Sequence, residues 1–125
     1  MKEIWLKTWQ IKDGEIVYQN GTFVWLYNEN ALKQRLENRL KLWRGEFQPE
    51  PQEGTRWKEI FQGEDITNAD IERILKEDIE KDKYIKQVAS IAADYDTEKR
   101  AVNVTFEAIG TKGDRIELKD IEVGV

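Results

Sequence analysis

The residues best equipped for chemistry in this chain are carboxylates. It contains neither histidine nor cysteine, so the commonest general acid/base, the commonest transition-metal ligand and every thiol nucleophile or disulfide are missing. Catalytic zinc, a Ser–His relay and a Cys–His pair are excluded together. Glu46, Glu50 and Glu53 crowd a stretch that also holds Pro49 and Pro51. A carboxylate pair is what glycoside hydrolysis uses, and Glu46 with Glu53 would be the two to test. That reaction also needs one acid of raised pKa and a cleft between the pair. Nothing in the sequence marks such a cleft, and solvated loop charges are the simpler reading. Asp78, Glu80 and Asp82, beside Glu77, carry enough charge to attract a hard cation. They are interleaved with Lys76, Lys81 and Lys83 and lack the glycine turn of a calcium loop, so they read as an exposed helix face with local ion pairs. No metal and no cofactor is expected.

Binding is the other chemistry on offer. Lys33, Arg35, Arg39, Lys41 and Arg44 face Glu37 alone, a local excess of five minus one, or +4, in a chain of formal net charge −5. Residues 64–82 compensate with eight acidic residues against Arg73, Lys76 and Lys81. This asymmetry suits docking of a partner, a phosphate backbone, or pairing of two helices with each other. Nucleic-acid binding calls for a basic domain with aromatics beside the cations, and the acidic balance argues against it. The final apolar-polar alternation, Arg115 to Val123, offers a different surface. It is either an edge strand blunted by its charges or a strand that pairs with another chain through unpaired N–H and C=O groups.

The elements that must position these residues follow from periodicity. Short strands are predicted before Tyr27, separated by Asp13-Gly14 and Asn20-Gly21, pairs that tolerate the positive φ of tight hairpin turns. Asn28 or Asn30 is placed to cap a helix over about 31–43, with Leu32, Leu36, Leu40 and Trp43 in one stripe and Gly45 at its C-terminal cap. Pro49 and Pro51 disfavour helix in the loop 45–54. Thr55 is a candidate cap for a short turn holding Trp57, Ile60 and Phe61. Thr67 with Asp70 forms a capping box for a second helix over about 68–82, whose buried side is Ile71, Ile74, Leu75 and Ile79. Three strands are predicted last, 88–95, 101–109 and 115–123, with Val102, Val104, Phe106 and Ala108 on one face. The fold class is α+β: an antiparallel sheet with two main helices packed on one face. No internal repeat is apparent.

At 125 residues and 14.8 kDa the length fits one domain spanning 1–125. The chain is polar, 36% charged, yet its five Trp, four Tyr and four Phe argue against disorder. Charges interrupt the first residues, Met1 to Lys7, so no signal peptide is expected, and no apolar run approaches the roughly 20 residues of a membrane span.

The order of these features resembles a known family. A basic helix from Asn30 to Trp43 runs into Arg44-Gly45-Glu46-Phe47. Pro51, Glu53-Gly54-Thr55, and Trp57 with Ile60 come next, then a helix and the strand pair 88–95 and 101–109. This is similar to the gene-25-like baseplate wedge family of contractile phage tails, also labelled W lysozyme-like, over roughly residues 16–109. The resemblance implies a structural, non-enzymatic protein that joins baseplate wedge proteins and initiates sheath assembly by strand pairing. It implies neighbours among wedge, sheath and tube proteins and several copies around a symmetric tail axis; on composition and charge, neither nucleic acid nor membrane is expected as partner. The implied location is the tail baseplate of a virion or phage-like particle, assembled in the bacterial cytoplasm. The residues proposed to meet partners are Arg35, Arg39, Arg44, Gly45, Glu46 and Phe47 at the helix, and Ile116, Leu118, Ile121 and Val123 on the last strand. A small carboxylate hydrolase, or a regulatory module that binds through the basic helix, is the alternative.

Overall fold

The computed structural model describes residues 3–41, 55–62 and 65–124. Arg44, Gly45, Glu46, Phe47, the carboxylates Glu50 and Glu53, and the Gly45 cap lie outside the described residues.

The chain opens with six strands of two or three residues: β1 Lys7–Trp9, β2 Ile11–Lys12, β3 Glu15–Ile16, β4 Tyr18–Gln19, β5 Thr22–Phe23 and β6 Trp25–Tyr27. Asp13 (φ 53°) with Gly14 (φ 80°), and Asn20 (φ 51°) with Gly21 (φ 77°), make the two tight turns that the sequence predicts. The ribbons pair as β1–β6, β2–β3 and β4–β5 and meet at a three-way junction. There Gln10 N–H donates to Val24 O (2.8 Å), Val17 N–H to Gln10 O (2.8 Å) and Val24 N–H to Val17 O (3.2 Å). Each junction residue donates once and accepts once, so the crossing leaves no orphaned main-chain group among these donors. Gln10, Val17 and Val24 are seven residues apart, each between two apolar neighbours: Trp9 and Ile11, Ile16 and Tyr18, Phe23 and Trp25. The expectation of no internal repeat is corrected by this three-fold pattern. Its period lies in spacing and polarity more than in residue identity.

Helix α1 spans Asn28–Lys41, α2 Trp57–Gln62 and α3 Asn68–Glu80. Asn28 begins α1 with φ 52° and does not use its side chain to cap it. Its Oδ1 accepts from Trp5 N–H (2.8 Å) and Leu6 N–H (3.3 Å), and its Nδ2 donates to Glu3 O (2.9 Å). One buried amide thus ties the incoming chain to the helix start. The expected Thr55 cap is likewise redirected: its hydroxyl donates to Arg39 O at 2.9 Å. The α3 box forms as expected, with Asp70 N–H on Thr67 Oγ1 and Thr67 N–H on Asp70 Oδ2, both at 3.1 Å.

The last third is the antiparallel meander β7 (Ile85–Asp96), β8 (Ala101–Gly110) and β9 (Arg115–Gly124), in that spatial order. Both long helices lie on one of its faces, α3 along β7 and α1 over β9. Leu32, Leu36 and Leu40 of α1 and Ile71, Leu75 and Ile79 of α3 close on Val102, Val104, Phe106 and Ala108 of β8. Ile116, Leu118 and Val123 of β9 join the same core. Trp57 is fully buried and donates its indole N–H to Leu40 O, so α2 plugs the end of the helix pair.

Candidate docking site at the sheet edge

A three-stranded sheet has two edges, and here they are treated differently. Along β7, side chains of α3 reach over and accept its outward N–H groups. Asn68 Oδ1 takes Tyr95 N–H (3.1 Å), Glu72 Oε2 takes Ala93 N–H (2.9 Å) and Glu80 Oε2 takes Val88 N–H (2.9 Å). Three donors of that edge are thus covered by its own helix.

The same bonds set the direction of every other strand group. Ala93 and Tyr95 point their N–H groups away from β8, so Asp94 bonds its partner Asn103. By alternation, Val102, Val104, Phe106 and Ala108 face β9 and bond Val123, Ile121, Leu118 and Ile116. Glu117 and Glu122 therefore direct their N–H and C=O groups outward. Among the described residues no side chain reaches these outward groups. A bulge at Asp120 (φ 53°), whose N–H donates to Thr105 Oγ1 at 3.0 Å, twists the middle of the strand. Beside this open edge runs a groove of about 430 Å³ between α1 and β9, lined by Lys33, Glu37, Glu117, Leu118, Lys119 and Ile121.

The residues singled out from sequence divide between core, helix pairing and edge. Ile116, Leu118 and Val123 are buried against the helices, and Ile121 packs on that core. What β9 offers outward is main chain, with charged side chains alternating on its solvent face. Arg35 Nε contacts Asp82 Oδ2 at 2.8 Å and its guanidinium lies 5.1 Å from the Tyr84 ring centre. Arg39 Nε donates to Asp78 O at 3.3 Å. Of the roles open to the basic helix, the pairing of α1 with α3 is the one these contacts serve.

Asp78 and Asp82 are not on an exposed face, as their alternation with lysines had suggested; they are 1% and 3% exposed. Asp78 accepts from Arg56 N–H and from Arg56 Nε, both at 3.0 Å, while Arg56 reaches Glu77 at 2.8 Å. Asp82 also accepts Tyr84 N–H at 3.0 Å. Buried carboxylates persist only when paired in this way. The hydrogen bond from Arg56 holds Glu77 below the usual carboxylate range, and Glu77 in turn raises the Arg56 guanidinium. No cluster of three or more acidic residues among the described ones is arranged to hold a metal. No described helix is long and apolar enough to cross a membrane.

A family model described as the contractile injection system sheath initiator matches residues 7–113. The chain belongs to the sheath initiator family. It is a structural protein of a contractile tail or injection apparatus. A search of curated proteins finds none that matches it. The matched span of the sheath initiator runs from β1 through the turn after β8, and β9 follows directly.

The helix side chains that close β7 escaped the sequence reading. Asn68, Glu72 and Glu80 fall on one four-residue line of α3, broken by Lys76. That spacing was the available signal. It is indistinguishable in sequence from an ordinary solvated helix face.

Proposed function

We propose that this sheath initiator seeds sheath assembly by accepting a strand of a neighbouring subunit on the outer edge of β9. The carrying observation is the asymmetry of the sheet: α3 takes three outward N–H groups of β7, whereas the outward groups of Glu117 and Glu122 have no intramolecular acceptor or donor among the described residues. Strand addition supplies main-chain hydrogen bonds, with side-chain recognition coming from the flanking groove. Ile116, Leu118, Ile121 and Val123 act by holding β9 flat on the core, so that its edge is presented without rearrangement. In this reading the whole chain works as a single domain without enzymatic activity. Its neighbours are sheath, tube and wedge proteins, repeated in several copies about the tail axis of a particle assembled in the bacterial cytoplasm. The wedge contact falls to the end of α1 and to Arg44, Gly45, Glu46 and Phe47.

Proline placement tests the strand mechanism more cleanly than deletion of β9, which would remove Ile116, Leu118 and Val123 from the core. A Glu117→Pro/Glu122→Pro double variant removes outward N–H groups, at positions where edge strands accept proline, together with two exposed side chains and the Glu117–Lys119 pair; Glu117→Ala/Glu122→Ala is the control for the side chains. The proline variant is expected to stay folded by circular dichroism and to fail in sheath formation when co-expressed with the tail genes. Undiminished sheath assembly by the folded double variant would refute strand addition at β9.

A further inference from the structure

The groove beside β9 does not stop at the sheet. A second groove, of about 620 Å³, lies between α1 and the β2–β3 hairpin, where Ile11 and Leu26 form apolar wall. Lys33 and Glu37 line both grooves, so the two share one stretch of the α1 surface. The hairpin wall is held in place by Gln34, whose Oε1 accepts Ile11 N–H at 2.8 Å and whose Nε2 donates to Trp9 O at 2.7 Å. A single side chain in α1 thus clamps both sides of one residue gap in the ribbon module, and this fixes the width of the second groove.

The charges at the crossing are unequal. Glu37 is paired with Lys41 at 3.1 Å and Glu117 with Lys119 at 3.2 Å. Lys33 has no carboxylate partner among the described residues, leaving one uncompensated cation where the two grooves meet. Ile11 stands 40% exposed at the far wall, an apolar side chain with room beside it.

Resting on strand addition at β9, we propose that the same incoming segment continues past the sheet, crosses α1 at Lys33 and ends beneath the β2–β3 hairpin. The occupant is one extended polypeptide with three parts. A strand bonds the β9 edge, an acidic residue meets Lys33, and an apolar residue packs on Ile11 and Leu26. The shared wall favours one segment over two separate partners, because Lys33 and Glu37 line both grooves and a chain that fills one meets the other at these two side chains. The recognised sequence is thereby longer than β9 itself. Its acidic position adds register to main-chain pairing, which carries little sequence information by itself.

Site-specific photo-crosslinking in assembled particles tests this directly. p-Benzoylphenylalanine would replace Glu117, on the β9 edge, or Ile11, under the hairpin; both side chains are exposed. Both positions are expected to capture the same polypeptide, with adducts mapped by mass spectrometry to one continuous segment. Capture from Glu117 alone, or capture of a different chain from Ile11, would overturn the continuation while leaving strand addition intact. No capture from Glu117 would remove strand addition and the continuation with it. A Lys33→Glu variant is expected to weaken retention of that segment about two- to fivefold, the size of a partly exposed ion pair. Reversal of the mapped acid to Lys should restore it, and failure of that rescue would remove the role of Lys33.

Discussion

Glu72 Oε2 accepts the main-chain N–H of Ala93 at 2.9 Å, across 21 residues of sequence, and so a helix carboxylate takes the place that a neighbouring strand would fill. Asn68 and Glu80 repeat the arrangement on either side. A polar row that reads as solvated surface covers, in the folded chain, three donors of one sheet edge. By removing β7 as a competitor it leaves β9 as the edge open to pairing.

Opening β7 should therefore create unwanted association. The triple variant Asn68→Ala/Glu72→Ala/Glu80→Ala exposes three main-chain donors on a strand of 12 residues. Size-exclusion chromatography with light scattering is expected to show concentration-dependent oligomers that the parent lacks, with added intermolecular β signal in the infrared amide I band. A monodisperse triple variant would show that the three bonds do not guard the edge.

Asn28 holds two main-chain donors and one acceptor with one side chain, at a positive φ that Asn tolerates better than most residues. Asn28→Ala strands those groups in a largely buried position. Chemical denaturation is expected to show a loss of about 2–3 kcal/mol, the scale of unsatisfied buried polar groups with added backbone strain. Hydrogen exchange should rise first at Trp5 and Leu6.

Arg56 Nε lies 3.0 Å from the buried Asp78 carboxylate, and Lys81 Nζ is at 3.9 Å. Arg56→Ala keeps the main-chain bond but removes the guanidinium from that carboxylate. The expected cost is about 3 kcal/mol by urea titration. Arg56→Ala combined with Asp78→Ala should recover part of it, because the stranded charge is gone; a double variant no better than the single one would contradict this account.

Acid should weaken the fold through two named carboxylates. Glu77 is held below its usual range by the Arg56 guanidinium, and Asp70 by the N–H and hydroxyl of Thr67. Both have lower pKa values folded than unfolded, so the unfolded chain binds their protons first and stability falls with falling pH. The contribution is complete above the ordinary carboxylate pKa of about 4 and is lost as pH drops through the folded values. Melting temperatures from pH 7 to pH 3 are expected to fall less steeply in Glu77→Gln than in the parent.

Removal of the α3 cap is the mildest of these changes. Thr67→Ala should cost about 1 kcal/mol, because it deletes one side of the reciprocal box and leaves Asp70 N–H to solvent. Calorimetry that shows no change would mean that solvent replaces the cap without cost.

The α+β class, both long helices and the three-stranded meander were legible in the sequence because each is encoded locally. Leu32, Leu36 and Leu40 repeat at helical period, Val102 to Ala108 alternate at strand period, and Thr67 with Asp70 or Asp13 with Gly14 specify ends and turns within a few residues. Asn28 marks where that local logic stopped: its type and place suit a cap, yet its amide serves residues more than 20 positions earlier. The exposed reading of Asp78 and Asp82 failed for the same reason, since their partners Arg56 and Arg35 come from other segments. Which edge of the sheet is open was decided only by tertiary structure. Edge closure depends on where α3 lies across β7, and a carboxylate bonded to a distant N–H has the same sequence signature as one bonded to water.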